Sequence, residues 1–288
     1  MSLQFDRFCM VDWSAASVPV RGADSIWIAH CRAGGADMAV RNEPTRSRAM
    51  DWIAGAIDRA LAAGARLLLG FDFAFGYPAG LCARLGVPDW RGVWAFLRDA
   101  LRDEDDNAND RFALAARLNR TAFADVSEGP FWGHPPKARH ESLLPKRPPY
   151  DAVAERRLVE RRVRSAQPVW KLAYTGAVGS QTLTGIARLE GLRRRYRGPI
   201  AIWPFETDFA HNCARPVVIC EIYPSLLPLE TRQGEVKDAA QVRTVAHHAA
   251  SLSTAERLHD WLAEPMGLRE NEREVVLREE GWIAGAPR

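Results

Sequence analysis

The chain has 288 residues, a net charge of +3 and an apolar fraction of 47%, which are ordinary values for a globular protein. This length fits one large domain or two small ones, and we expect a single domain over residues 1–288. No run approaches the roughly 20 apolar residues of a membrane span, and the N-terminus lacks a signal-peptide layout. The five cysteines form no CxxC pair. We therefore expect a cytoplasmic protein without a membrane segment or a disulfide framework.

Apolar runs and one helix signal predict the order of elements in the first quarter of the chain. The helix signal begins at Thr45 or Ser47, repeats apolar residues every three to four positions, and stops at Gly64. The last of the apolar runs is continuous, as in a central parallel strand. The predicted order is β-β-β-α-β, which is typical of the α/β class. The predicted strands cover residues 8–11, 25–31, 38–41 and 66–71.

The remaining chain is mainly helical between residues 90 and 198, and we interpret this stretch as an insertion. A Pro-rich segment, 129–150, interrupts it. Two runs of strand length follow at 199–205 and 216–222, and then a helix is predicted over 237–252. The expected architecture is a mixed sheet flanked by helices, with a mainly helical insertion over about 90–198.

Two aspartates stand directly after apolar strands. Asp12 and Asp72 occupy the carboxyl ends, where open α/β sheets place their ligands. If the two strands are adjacent and parallel, the carboxylates lie side by side and repel each other unless a cation joins them. Oxygen ligands suit Mg²⁺ or Mn²⁺, which would activate water and stabilise a leaving oxygen in phosphodiester cleavage. The alternative is that Asp12 opens a turn and Asp72 simply follows a strand.

A third acid, Glu221, lies within the apolar run 216–222, where a buried carboxylate needs a partner. A metal ion would supply one, in which case Glu221→Gln changes metal binding more than stability. The alternative is an ion pair with one of the many arginines. Arginines in 156–164 alternate with glutamates, which favours a solvated helix with internal ion pairs. The alternative is a basic surface that contacts a nucleic-acid backbone.

Three residues of the predicted insertion are candidates for substrate binding. Trp132 could stack on a base, and His134 could serve as an acid or base, although a loop histidine is more often simply exposed. Lys171 precedes the glycine-containing segment 176–182, where a helix N-terminus could hold a phosphate. The spacing there is not that of a phosphate-binding P-loop.

Short motifs around the acids resemble those of a family of uncharacterised proteins described as predicted ribonuclease-H-like nucleases. The motifs are Val-Asp at 11–12, Gly-Phe-Asp-Phe-Ala-Phe-Gly-Tyr-Pro at 70–78 and Cys-Glu-Ile-Tyr-Pro at 220–224. They follow one another in the family's order. The resemblance implies a ribonuclease-H-like sheet and, with it, a nuclease.

The resemblance also implies roles for four acids. It gives metal-binding and catalytic roles to Asp12, Asp72 and Glu221, and to Asp238 at the start of the late helix. The family's late helix commonly carries further acids nearby, whereas this chain has Gln241. The implied cofactor is Mg²⁺ or Mn²⁺.

Three functions fit these observations. The first is a nuclease or phosphodiesterase that depends on Mg²⁺ or Mn²⁺ and acts on nucleic acid or a nucleotide-like small molecule. The second is a non-catalytic protein that keeps the fold and binds a ligand or partner through the insertion. The third is a phosphotransferase, but segment 12–17 lacks the glycine that lets a hairpin approach a phosphate. The first function explains the four acids together and is the one we expect; the oligomeric state stays open.

Overall fold

The computed structural model describes residues 4–210 and 213–287, whose strands form one mixed sheet. The strands are β1 (Arg7–Asp12), β2 (Ile26–Arg32), β3 (Ala39–Glu43), β4 (Leu67–Phe71), β5 (Ile200–Ile202) and β6 (Val217–Glu221). Their order across the sheet is β3-β2-β1-β4-β6-β5. The pairs β3/β2 and β2/β1 are antiparallel, whereas β1/β4, β4/β6 and β6/β5 are parallel. An antiparallel half and a parallel half therefore meet at β1.

The parallel half contains the most deeply buried strands. Every residue of β4 and β6 is buried, as expected for central strands covered by helices on both faces. The strand β5 is shorter than the run 199–205 that predicted it, because Pro204 has no N–H to donate to the ladder. The α/β class and the mixed sheet flanked by helices, both predicted from the sequence, are confirmed.

Helices lie on both faces of this sheet. They are α1 (Arg46–Ala62), α2 (Leu81–Leu85), α3 (Trp90–Ala100), α4 (Arg111–Thr121), α5 (Leu158–Arg162), α6 (Gly179–Arg195), α7 (Lys237–Thr254), α8 (Leu258–Trp261) and α9 (Glu270–Val275). Short 3₁₀ segments lie at Ala33–Gly35, Pro136–Ala138 and Pro224–Leu226, and a π-helical turn, Val276–Glu280, continues α9. None of the helices that the structure describes is long and apolar enough to cross a membrane.

The helix α1 connects the two halves of the sheet and begins at the first of its two predicted caps. The Thr45 side chain accepts a hydrogen bond from the Arg48 N–H at 3.3 Å. Ile53 and Ile57 are buried against the sheet, and the helix ends before Gly64, whose φ is 62°. The connection places β4 parallel to β1 and next to it.

Two hydrophobic cores lie on opposite faces of the sheet, because successive residues of a strand point to opposite faces. On one face Val11 and Leu69 pack with buried residues of α1, α3, α4 and α6. On the other face Met10 and Leu68 pack with α7 and the C-terminal segment. Most of the helices between β4 and β5 contribute buried residues to the first core. They are therefore packed against the sheet.

Candidate functional site

The strands β1 and β4 deliver two aspartates to the same edge of the sheet. Val11 pairs with Phe71 in parallel register, so Asp12 and Asp72 are the next residues on neighbouring strands. The Trp13 N–H donates to Asp72 Oδ1 at 2.8 Å, and the two aspartate side chains are hydrogen bonded to each other. The structure therefore brings these two predicted site residues into direct contact.

Neither carboxyl of this Asp12–Asp72 pair has a cationic partner among residues 4–210 and 213–287. Burial raises the pKa of Asp12 well above its usual range, and the charges of Asp72 and Asp238 raise it further. Burial also raises the pKa of Asp72, against the lowering effect of the Trp13 N–H and of the Asp12 hydrogen bond. Both carboxyls therefore bind a proton more readily than an exposed aspartate does, and a bound cation would balance the same charge.

The third acid near the pair is Asp238, in the first turn of α7. Its Oδ2 accepts a hydrogen bond from the Asp24 N–H at 2.8 Å, and its charge raises the pKa of both Asp12 and Asp72. Asp24, which no motif in the sequence marks as a site residue, also raises the pKa of Asp12. It belongs to the β1–β2 loop, and its carbonyl accepts from the Ser14 hydroxyl at 2.9 Å. Asp238 thus acts on the pair through its charge, while its own side chain bonds to the loop.

Glu221 ends β6 beside the same sheet edge but has a cation of its own. Arg157 donates to Glu221 Oε1 at 2.6 Å and to Oε2 at 2.8 Å, and the Phe75 N–H donates to Oε2 at 3.0 Å. Glu221 is 3% exposed and Arg157 is 1% exposed. Of the two partners that the sequence allowed for Glu221, the structure shows the arginine. Coordination of a metal by Glu221 would require this bidentate pair to open.

Arg157 is bound on its other side by a second carboxylate. Its Nε donates to Glu160 Oε1 at 2.7 Å, and its backbone N–H donates to Glu160 Oε2 at 3.1 Å. Burial alone would lower the pKa of Arg157, but Glu221 and Glu160 outweigh it and raise that pKa. The arginine-rich segment is therefore not a uniformly solvated helix: Arg157 is buried and only some of its neighbours, such as Arg161, are exposed.

A pocket of about 310 Å³ lies between these two groups of acids, and we call it the acid-edge pocket. Asp72 and Glu221 both line it, as do three neutral glutamines, Gln167, Gln181 and Gln241. The glutamines offer amide donors and carbonyl acceptors without charge. Asp72 thus connects the uncompensated acid pair to a cavity large enough for a small ligand or part of a larger one.

The three predicted substrate residues form a separate cluster. The Lys171 ammonium lies 5.9 Å from the centre of the Trp132 ring, whose Nε1 donates to the Tyr150 hydroxyl at 2.8 Å. His134 is buried rather than exposed, and its carbonyl accepts from the Tyr174 hydroxyl at 3.0 Å. Within the described chain, none of the three lines the acid-edge pocket.

Lys171 provides the link between this cluster and the pocket. Its ammonium donates to Gln167 Oε1 at 3.2 Å and to the Thr175 carbonyl at 2.7 Å, and Gln167 lines the pocket. A phosphate contact by Lys171 would therefore replace hydrogen bonds that the side chain already makes.

The fit of the acids to Mg²⁺ or Mn²⁺ depends on how many of them converge on one point. Among the described residues, no group of three or more His, Cys, Asp or Glu side chains is arranged to hold a metal ion. Mg²⁺, however, usually keeps several waters and binds through one or two carboxylates. The adjacent, uncompensated carboxyls of Asp12 and Asp72 supply such a pair. The pair fits a hydrated divalent ion, whereas in the described chain Glu221 is bound by Arg157 and Asp238 by the Asp24 N–H.

No family model, curated protein or solved structure matches this chain. The structure itself defines an α/β protein with a carboxylate pair at the meeting point of the antiparallel and parallel halves of its sheet. Function is therefore inferred from the chemistry of the site.

Proposed function

We propose that the protein is a divalent-metal-dependent phosphodiester hydrolase on a ribonuclease-H-like sheet, with Asp12 and Asp72 as ligands of Mg²⁺ or Mn²⁺. The observation that carries the proposal is the Asp12–Asp72 pair, whose carboxyls are hydrogen bonded and lack any cationic partner in the described chain. The strand order supports the fold assignment, because β1 has an antiparallel hairpin on one side and parallel strands on the other.

The residues around the pair suggest how the chain would handle a substrate. A bound divalent ion would polarise a phosphate oxygen and make water more acidic. The Trp13 N–H orients the Asp72 carboxylate at 2.8 Å, and Asp72 also faces the acid-edge pocket. A phosphodiester in that pocket would therefore lie next to the ion. Because Arg157 is already paired with two glutamates, Gln167 and Gln181 are better placed to bind the substrate through neutral hydrogen bonds.

A second candidate is a ligand- or partner-binding protein without catalysis on the same fold. It is favoured by the partners of Glu221 and Asp238, which bond to Arg157 and to the Asp24 N–H. Among the described residues, Asp12 then has no hydrogen-bond partner outside the pair and Asp72 has only the Trp13 N–H. Two carboxylates suffice to bind Mg²⁺ with water and substrate, which is why we place hydrolysis first.

The test compares wild type, Asp12→Asn and Asp24→Asn from identical preparations. The substrates are single-stranded and duplex DNA, RNA and a DNA/RNA hybrid, each with Mg²⁺, with Mn²⁺ and with EDTA. We expect metal-dependent cleavage by wild type, loss of cleavage in Asp12→Asn and retention in Asp24→Asn. Asp24→Asn is the matched control, because it removes a nearby negative charge that touches neither carboxyl of the pair. Absence of cleavage by wild type, or equal cleavage by Asp12→Asn, would leave the binding protein as the better interpretation.

A further inference from the structure

A second pocket lies at the opposite end of β1 from Asp12, on the face that α1 covers. Its volume is about 440 Å³, and we call it the arginine pocket. Arg7, the first residue of β1, and Arg59, in the last turn of α1, line it, together with His30 near the end of β2. Arg7 and Asp12 are the two ends of the six-residue strand β1, five residue steps or roughly 17 Å apart at about 3.3 Å per residue. The arginine pocket is therefore separate from the acid pair.

The charges that line the arginine pocket do not balance. Three arginines and one aspartate face it, Arg7, Arg32, Arg59 and Asp37. Arg32 and Asp37 form an ion pair with each other at 2.6 Å. Arg7 and Arg59 have no carboxylate partner among residues 4–210 and 213–287. Three positive charges against one negative charge leave two guanidinium groups free to bind an anion.

A pair of aromatic rings forms another part of the wall. The rings of His30 and Trp52 lie with their centres 5.0 Å apart and their planes 36° from parallel. The Arg59 guanidinium is 5.7 Å from the centre of the Trp52 ring, and that of Arg41 is 4.8 Å from it. Burial, Arg41 and Arg59 lower the pKa of His30, so the imidazole is neutral at pH 7 and offers one donor and one acceptor.

We propose that the arginine pocket binds a small anion that carries a planar ring, of the class of nucleoside monophosphates, with Arg7 and Arg59 on the phosphate and Trp52 and His30 along the base. Guanidinium groups bind phosphate through paired hydrogen bonds, and aromatic side chains stack on bases. The volume falls within the range of about 300–1,000 Å³ that small-molecule sites occupy. Binding here needs no metal and involves no bond cleavage, so it does not rest on the proposed hydrolase.

The experiment is a calorimetric titration of the full chain in EDTA with AMP, GMP, CMP and UMP. Adenosine and inorganic phosphate are titrated separately, to divide the contribution of the base from that of the anion. We expect at least one nucleotide to bind about tenfold more tightly than phosphate or the nucleoside. The double variant Arg7→Gln, Arg59→Gln should weaken that binding by about tenfold or more. The control is Arg120→Gln, an exposed arginine of α4 outside the pocket, which should bind as wild type does.

Each other outcome overturns a stated part of the proposal. If no nucleotide binds, or if the double variant binds unchanged while its circular dichroism and melting match wild type, the arginine pocket is not the site. If phosphate binds as tightly as every nucleotide, the pocket takes simple anions and the role of Trp52 and His30 is wrong. Asp12→Asn should bind nucleotide normally; a loss in that variant would place the ligand at the acid pair instead.

Discussion

Two carboxylate groups at the same sheet edge differ in what balances their charge. Glu221 has Arg157 at 2.6 Å and a backbone N–H at 3.0 Å, and Arg157 is bound in turn by Glu160. Asp12 and Asp72 have each other and the Trp13 N–H, and the negative charges of Asp24 and Asp238 raise the pKa of Asp12 further. Glu221 is paired with a cation of the chain, whereas Asp12 and Asp72 have no cationic partner among the described residues and their pKa values are raised. A cation from outside the chain would therefore stabilise the second group far more than the first.

The origin of the difference lies in the helices between β4 and β5. The chain just before α5 carries Arg157 to the end of β6, where the arginine is buried between two glutamates. No described residue brings a comparable cation to the ends of β1 and β4; the residues that reach them are Trp13 and the acids Asp24 and Asp238. The comparison predicts opposite responses when each group is altered.

The largest effect on folding stability is expected for Arg157→Met. This change leaves Glu221 and Glu160 buried without their cation, so we expect the free energy of unfolding to fall by about 3–5 kcal/mol. Urea unfolding at pH 7 measures it. The control is Arg161→Met on the exposed side of α5, expected to change stability by less than about 0.5 kcal/mol. Equal losses in the two variants would mean that the glutamates are hydrated or protonated there.

A smaller loss of folding stability is expected for Glu221→Gln. The sequence alone predicts that this change affects metal binding more than stability, but the pair with Arg157 reverses the expectation. Arg157 keeps Glu160 and loses one charged acceptor, so the free energy of unfolding should fall by about 1–3 kcal/mol. Mn²⁺ affinity, measured by calorimetry, should stay near that of wild type. Markedly weaker Mn²⁺ binding with unchanged stability would show that Glu221 is a metal ligand.

The smallest effect, and one of opposite sign, is expected for Asp12→Asn. The pKa values of Asp12 and Asp72 are raised on folding above the unfolded value of about 3.9, the latter to about 7. The folded protein therefore binds protons that the unfolded chain releases, and their stabilising contribution is full below about pH 4 and lost as the pH rises through about 7. Asparagine removes one of the two charges, so Asp12→Asn should be more stable than wild type by about 1 kcal/mol at pH 8 in EDTA.

Urea unfolding in EDTA from pH 4 to pH 8 measures this effect. The slope of stability against pH should be shallower in Asp12→Asn than in wild type, and adding Mn²⁺ should stabilise wild type more than the variant. Parallel profiles for the two proteins would show that Asp12 is not held protonated and that the pair differs little from any surface carboxylate.

The sequence by itself located the buried strands β4 and β6 and the acids at the ends of β1 and β4. The apolar runs at 66–71 and 216–222 contain β4 and β6, and Asp12 and Asp72 fall at adjacent strand ends. A strand buried on both faces must be apolar throughout, so it is visible in a short window of sequence. The cap of α1 at Thr45 is equally local, because a cap bonds to a residue three positions away.

Only the tertiary structure decided which charges meet. Arg157 belongs to a run of arginines that the sequence does not distinguish from one another. Its partner Glu221 is 64 positions further along the chain. The same holds for the Asp24 N–H on Asp238 and for the arginine pocket, where Arg7, His30 and Arg59 converge from two strands and a helix. Whether a charged side chain is paired depends on which groups the folded chain brings within a few ångströms of it. That distance cannot be obtained from residue type and sequence spacing.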